Sequence, residues 1–200
     1  MKKSGMYHAG SRGLQERFDS VRLADRLEQI TVHEAFTEDD TRFIEKSPFF
    51  FLATADAEGA PDCSHKGGLP GFVRVVGASE LVFPDYDGNG MFKSLGNIMV
   101  NPQVGLLFIR MDRPGRIRVN GTASVHWDDS LMAEFPGATL LVRVKAKKIF
   151  PNCPRYIHPQ EMAGHSPHPP RPDYQPPDAE WKEMEVFRDH LPGKGTPEQD

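Results

Sequence analysis

Seven segments with β-strand character follow one another between residues 49 and 150, and short turns separate most of them. Each is rich in β-branched, aromatic or alternating apolar residues, a composition that suits a pleated, half-buried surface. They are residues 49–55, 60–66, 72–76, 80–83, 104–109, 116–126 and 139–150. A parallel doubly wound sheet would need long helices between its strands, and this pattern is missing. The spacing therefore predicts a mostly β fold with an antiparallel sheet closed into a barrel or sandwich.

The segment 81–95 joins the fourth of these strands to a short helical pattern. The strand enters a turn of Asp, Gly and Asn residues at 85–90, and Lys93 and Ser94 follow in the first turn of the helix. Glycine lets the backbone approach a ligand closely. A helix start offers free N–H groups and a partial positive charge. With a lysine and a hydroxyl beside it, this turn is a candidate site for the phosphate of a cofactor.

Two other interpretations of the same turn remain open. The pattern D-x-D-x-N-G at 85–90 copies the opening of a calcium-binding loop, whose ligands come from alternate positions. That loop needs a glutamate six residues after its glycine and a helix before it, whereas position 96 is glycine and residues 80–83 favour a strand. The turn is also compatible with a decorated Asn-Gly hairpin that binds no ligand.

The overall composition argues against several classes of function. Two hundred residues are enough for one domain with a substantial core. Charged residues make up 26% and the formal net charge is -4, which gives no electrostatic case for binding nucleic acid or an anionic membrane. No apolar run has the length of a membrane span, and the first residues lack the apolar core of a secretory signal. We therefore expect a cytoplasmic protein, with Cys63 and Cys153 as free thiols.

Helical and proline-rich segments flank the strands. Residues 11–30 have apolar positions at helical spacing in two runs, with Ser20 as a candidate cap of the second. We expect this amphipathic structure to pack on the domain or on a partner subunit. Thr37 begins a short helix that ends before Pro48. Residues 158–177 contain seven prolines and predict an extended arm.

The chain divides accordingly into an N-terminal arm and helix (1–36), a barrel domain (37–156) and a proline-rich C-terminal arm (157–200). A short terminal helix is predicted within the last part, at residues 181–191. The arm also carries His165 and His168, but two ligands on a proline tract fall short of a metal site, and no metal is predicted. Residues 150–156, which include Cys153, are a candidate pocket wall.

Three sequence motifs follow one another along the strand region. The first is F-L-A-T-A-D-x-x-G-x-P at 51–61, and the second runs from strand 81–83 through Lys93 and Ser94 to N-P-x-V-x-L-L-F at 101–108. The third is R-I-R-V-N-G at 116–121. Together, over residues 37–150, they resemble the pyridoxamine 5′-phosphate oxidase-like superfamily of flavin-binding split barrels. The stretch 64–74 resembles an uncharacterised bacterial subgroup of oxidase-related proteins.

The resemblance implies an antiparallel split barrel that binds FMN in a cleft between two subunits, and hence a homodimer. The family's basic residue at the phosphate and its neighbour correspond to Lys93 and Ser94, and its loop asparagine corresponds to Asn89. Either Arg74 or Lys66 takes the place of a further family arginine. A phosphate with up to two negative charges needs charge-assisted donors of this kind.

A second group of residues is expected near the flavin ring. Arg116 corresponds to a family residue at the polar edge of the ring, where a basic group stabilises the anionic reduced flavin. Arg118 lies two residues further on the same strand and so faces the same side. The full set of expected cofactor-binding residues is Ser64, His65, Lys66, Arg74, Tyr86, Asn89, Lys93, Ser94, Arg116 and Arg118. Each also has an ordinary interpretation as a surface charge or a loop-filling side chain, and His65 and Lys66 are expected where a glycine loop begins.

The expected function is that of an FMN-dependent oxidoreductase with an unknown small-molecule substrate and NAD(P)H as a candidate electron donor. Vitamin B6 oxidation is not expected, because the family's Trp- and Arg-rich C-terminal signature has no match in the proline-rich arm. No catalytic residue can be named. Two alternatives remain: a non-enzymatic flavin-binding or flavin-sensing protein, and a split barrel that binds deazaflavin or haem. Haem would require His65 or His126 as an axial ligand.

Overall fold

The structure, a computed structural model, describes residues 5–112, 115–153, 157, 167 and 170–177, whose body is one antiparallel sheet of seven strands. The strands are β1 (Phe49–Ala55), β2 (Pro61–Gly67), β3 (Arg74–Gly77), β4 (Glu80–Tyr86), β5 (Gln103–Arg110), β6 (Gly115–His126) and β7 (Ala138–Pro151). The α-helices among these residues are α1 (Ala9–Arg17), α2 (Val21–Thr31), α3 (Glu38–Glu45) and α4 (Lys93–Val100). The mostly β, antiparallel fold predicted from the sequence is confirmed.

The sheet curls until strands that are far apart in it meet inside. Its order is β2-β1-β5-β6-β7-β4-β3. The rings of Phe50 on β1 and Phe83 on β4 nevertheless have centroids 5.0 Å apart, in an edge-to-face arrangement. Phe108 on β5 lies at the same distance, 5.0 Å, from Phe50. All three side chains are fully buried, so the barrel closes around an aromatic core. The structure is of one chain, and the homodimer stays a prediction.

Side chains close the barrel between β2 and β4. Within the described residues β2 forms a backbone ladder with β1 alone, yet Lys66 Nζ on β2 lies 3.6 Å from Asp85 Oδ1 on β4. We call this boundary the β2–β4 seam. Helix α4 packs at one end of the seam, where the buried Asn97 side chain donates to Thr54 Oγ1 on β1 at 3.0 Å. The seam and the start of α4 therefore form one neighbourhood.

Two helices form the N-terminal segment. Asp19, with φ 48°, separates α1 from α2. Ser20 occupies the N-cap position of α2 as predicted, but its hydroxyl donates to the Gln15 carbonyl at 3.4 Å and does not cap the helix. Large apolar side chains on these helices are exposed in the single chain: Leu14, Phe18, Leu23, Leu27 and Ile30. Packing against a partner subunit stays a prediction for this face.

Helix α3 begins as its sequence predicts. The Thr37 hydroxyl accepts the Asp40 N–H at 3.1 Å, and the Asp40 carboxylate accepts the Thr37 N–H at 2.9 Å, which forms a capping box. Between β6 and β7, residues Met132–Glu134 form a single 3-10 turn. His165, His168 and the helix predicted at 181–191 lie outside the described residues.

A bidentate ion pair ties the loop after β6 to β7. Arg143 Nε and Nη2 donate to the two carboxylate oxygens of Asp129 at 2.5 and 2.8 Å, and Nη1 donates to Glu80 at 2.8 Å. The hydrogen bonds from Arg143 lower the pKa of Asp129 to about 2. A carboxyl group whose pKa falls on folding stabilises the protein only while it is ionised.

We expect this pair to make stability depend on acid pH. The contribution, about 2 kcal/mol from the size of the pKa shift, is present above the unfolded-state pKa of about 3.9 and is lost as the pH falls through about 2. In urea unfolding followed by circular dichroism, Asp129→Asn should be less stable than the wild type at pH 7. The difference should shrink between pH 4 and pH 2, and a constant difference would contradict the assignment.

Candidate functional site

The loop after β4 enters α4 without a side-chain cap. Phe92 is the N-cap residue and has a left-handed backbone with φ 47°. The first N–H groups of a helix have no partner within it, and they carry its partial positive charge. Lys93 begins the helix with an exposed side chain. Asn89 shapes the preceding loop, because its side-chain oxygen accepts the Met91 N–H at 3.0 Å. This helix start is thus a donor-rich, cationic corner.

Ser94 points away from Lys93 and into the seam. It is buried, and its hydroxyl oxygen lies 2.9 Å from that of Ser64 on β2. It also lies 3.4 Å from the carboxylate of Asp62, to which it can donate. Asp62, Ser64 and Lys66 alternate along β2 opposite core residues of β1, so all three face the inside of the barrel. The structure therefore brings Ser64 into contact with Ser94, and Lys66 lies on the same face of β2 as Ser64.

Two groups at the end of β4 have shifted pKa values. Burial raises the pKa of Asp85, and the neighbouring charge of Lys66 partly offsets the rise. Burial also raises the pKa of Tyr86, against the opposing effect of Arg74. Perturbed titratable groups concentrate at functional sites, although structural ion pairs perturb them too. Asp85, which pairs with Lys66, thus belongs to the seam, whereas the charged neighbour of Tyr86 is Arg74.

Arg74 contacts the segment between β6 and β7 and not the seam. One terminal nitrogen donates to the Glu134 carbonyl at 3.0 Å, and the other forms an ion pair with the Glu134 carboxylate. Its guanidinium carbon also lies 4.6 Å from the centre of the Phe135 ring. Of the two basic residues that the sequence offered for one role, Lys66 is therefore the one whose contacts lie in the seam.

His65 and Arg118 lie on the other face of the sheet. The sequence placed His65 and Lys66 at the start of a loop, but both lie inside β2, whose alternation sends Lys66 inward and His65 outward. The His65 ring stacks on Phe49 with centroids 5.5 Å apart. A row of directly paired residues crosses this face: His65, Phe51, Leu107, Arg118 and Phe150. Strand spacing puts His65 and Arg118 about 14 Å apart along it.

Arg116 lies on the outer face with Arg118, and one nitrogen of its guanidinium group has an unusual environment. Its Nε is buried and lacks a hydrogen-bond partner among the described residues. A buried donor without a partner costs about 1–3 kcal/mol, so native proteins rarely leave one without a reason such as an absent ligand or water. Arg116 is therefore suited to an acceptor supplied from outside the chain.

Asp62 was not among the residues predicted from the sequence, and Asp85 was considered only as a ligand of a calcium-binding loop. The alternation of Asp62 with Ser64 and Lys66 on one strand was the signal by which Asp62 could have been found.

The described residues contain no group of three or more His, Cys, Asp or Glu side chains placed for a metal ion. His126, one of the two candidate haem ligands, has its Nε2 2.8 Å from the Ser124 hydroxyl. None of the helices in the described part of the chain has both the length and the apolarity to cross a bilayer.

Several solved structures are similar to this chain at low sequence identity. A candidate pyridoxamine 5′-phosphate oxidase from Lactobacillus delbrueckii is 23% identical over 60% of this chain and 99% of its own, with a TM-score of 0.49. HutZ, the haem storage protein from Vibrio cholerae, is 20% identical over 56% and 91%, with a TM-score of 0.43. An FMN-binding protein from Syntrophomonas wolfei is 13% identical over 71% and 96%, with a TM-score of 0.41. No curated protein sequence matches the chain.

A family model matches most of the region described above. The model of pyridoxamine 5′-phosphate oxidase covers residues 36–161, more than half of the chain. That segment contains α3, all seven strands and α4, together with every residue that the sequence predicted for cofactor binding. It also contains the three motifs on which the resemblance was based. The chain therefore belongs to the pyridoxamine 5′-phosphate oxidase family.

Proposed function

We propose that this protein is an FMN-dependent oxidoreductase that acts on a small molecule and holds the FMN phosphate where α4 meets the seam. Membership in the family supports a flavin site of this kind. The observation that carries the proposal is the contact between Ser64 and Ser94, 2.9 Å apart, at the start of an uncapped helix. It places the hydroxyls of two elements at the start of α4, the helix whose first residue is Lys93.

The donors at this corner fit a phosphate group. The free N–H groups of α4 and the Lys93 ammonium provide charge-assisted hydrogen bonds to a dianion. Ser94 and Ser64 can turn their hydroxyl hydrogens toward an oxygen, since hydroxyls rotate. Asp62, 3.4 Å from Ser94 as an acceptor, opposes an anion on its own side of the seam. The phosphate therefore fits best in front of the α4 N–H groups, away from Asp62.

Arg116 fits the polar edge of a flavin ring. A guanidinium group there donates hydrogen bonds to ring acceptors and favours negative charge on the reduced ring. Its unpartnered buried Nε would gain an acceptor. When bound, FMN supplies the redox chemistry, and the side chains named here bind and orient it and set the local charge.

The two groups of residues lie on opposite faces of the sheet, which favours a site shared by two copies of the chain. Lys66, Ser64 and Ser94 face the seam, whereas Arg116 and Arg118 face outward across three strand spacings from His65. In a dimer, the phosphate corner of one copy can meet the arginines of the other. We therefore infer that FMN lies between two subunits, as the resemblance implied.

The absorption spectrum of the freshly purified protein tests the ligand. We expect a flavin spectrum, and after denaturation a released cofactor that co-elutes with FMN standards and not with FAD or deazaflavin. A haem spectrum, or a protein that neither contains nor binds added FMN, would reject the proposal. Reduction of the bound flavin by NADH or NADPH then separates an oxidoreductase from a protein that only binds or senses flavin.

A further inference from the structure

One carboxylate contacts the basic side chain that shares the inner face of β2 with Ser64. Lys66 Nζ lies 3.6 Å from Asp85 Oδ1, and the two side chains are 21% and 14% exposed. This distance is longer than the 2.7–2.9 Å of a charge-assisted hydrogen bond. The pair is thus an electrostatic contact between two half-buried charges, and its distance is too long for a direct hydrogen bond.

Lys66 lies on the same strand face as the serine that contacts the start of α4. It follows Ser64 by two residues on the same face of β2, so their Cα atoms are about 6.6 Å apart. Ser64 in turn contacts Ser94 in the first turn of α4. A lysine carries its charge on a flexible four-carbon stem and can change partners by rotation alone. Released from Asp85, its ammonium group could therefore swing toward a phosphate at the start of α4.

We propose that Asp85 is a built-in competitor of the phosphate: it neutralises Lys66 while the site is empty and is displaced from it when FMN binds. The inference rests on the proposed FMN site and adds a control of its affinity. An ionised Asp85 opposes the ligand twice, because it occupies a cation that the phosphate would use and because it repels the phosphate itself. The burial that raises the Asp85 pKa agrees with a carboxylate held in an unfavourable position.

A purely structural role for the pair makes the opposite prediction. If Asp85 only fastened β4 to β2, its removal would loosen the seam and leave the affinity for FMN unchanged or weaker. If Asp85 instead competes with the phosphate, neutralising its carboxylate raises the affinity for FMN. The sign of the change in affinity therefore separates the two roles, whatever happens to the melting temperature.

The test is a titration of apoprotein with FMN, followed by flavin fluorescence. Asp85→Asn should bind FMN about 5- to 20-fold more tightly than the wild type, the scale expected when one nearby opposing charge is removed. In a Lys66→Ala background the same substitution should give a smaller gain, because the released cation is missing. Glu58→Gln, which removes an equal charge at an exposed position in the β1–β2 turn, should leave the affinity unchanged.

The outcomes distinguish this inference from the function on which it rests. If the wild type binds FMN and Asp85→Asn binds it equally or more weakly, the competitor role is wrong and the proposed function stands. If the wild type binds no FMN, the proposed function fails and the inference falls with it. Asp85→Ser removes the same charge from a smaller side chain and replaces Asp85→Asn if that variant does not fold.

Discussion

Lys93→Ala is expected to weaken FMN binding by about 1.5–3 kcal/mol, roughly 10- to 150-fold in Kd, the scale of a hydrogen bond to a charged group. The exposed ammonium at the first residue of α4 is placed to contact the phosphate from the solvent side, and nothing else on that helix start carries a positive side chain within the described residues. Fluorescence titration of the apoprotein measures the loss directly. Lys147→Ala, at an exposed position on β7, is the matched control and should bind FMN as the wild type does.

Mixing two variants extends this test to the shared site. If Lys93 of one copy and Arg116 of the other serve the same FMN, each single alanine variant damages both sites of its own dimer. A hybrid dimer of Lys93→Ala with Arg116→Ala then contains one intact site, and half of the binding capacity should return at wild-type affinity. No recovery in the hybrid would place both residues at one site within a single chain, and an unchanged Kd for Lys93→Ala would reject the phosphate assignment.

Phe50→Ala is expected to lower the free energy of unfolding by about 3–5 kcal/mol, the range for removing a large aromatic side chain from a packed core. Phe50 is fully buried and contacts both Phe83 on β4 and Phe108 on β5. Its removal therefore leaves a cavity at the point where distant strands of the sheet meet. Urea unfolding followed by circular dichroism gives the difference.

Phe18→Ala is the control for Phe50→Ala. Phe18 follows α1 and is 73% exposed in the single chain. Its truncation should change the unfolding free energy by no more than about 0.5 kcal/mol, the usual range for a surface position. If Phe50→Ala cost as little as Phe18→Ala, the aromatic cluster would not be the centre of the core. A large effect at Phe18 would instead indicate that a second subunit covers α1.

Local patterns were enough to predict individual elements. The capping box of α3 and the helix that begins at Lys93 are visible in four or five consecutive residues, because both depend on contacts within one helical turn. The period-two alternation of β6 placed Arg116 and Arg118 on one face, and the structure has both there. Such features need no knowledge of the rest of the chain.

Predictions about which side chains meet were less complete. The sequence grouped Arg74 with the phosphate residues, but a partner 60 residues away, Glu134, holds its guanidinium group. It also placed Lys93 and Ser94 together, whereas a step of 100° around the helix sends one to solvent and the other into the seam. Asp62 was overlooked because its importance depends on α4, which is distant in sequence but adjacent in space.

The amino-acid sequence alone determined the strand succession, the antiparallel class of the fold, a short helix with Lys93 and Ser94 in its first turns and, through three ordered motifs, the family. Those properties follow from short-range periodicity and turn chemistry, which each segment carries by itself. Only the tertiary structure decided that the barrel closes through a Lys66–Asp85 contact, that Ser64 meets Ser94, and that the predicted binding residues divide between two faces of the sheet. The curvature that brings β2 to β4 is a collective result of core packing across seven strands, and no local stretch of sequence encodes it.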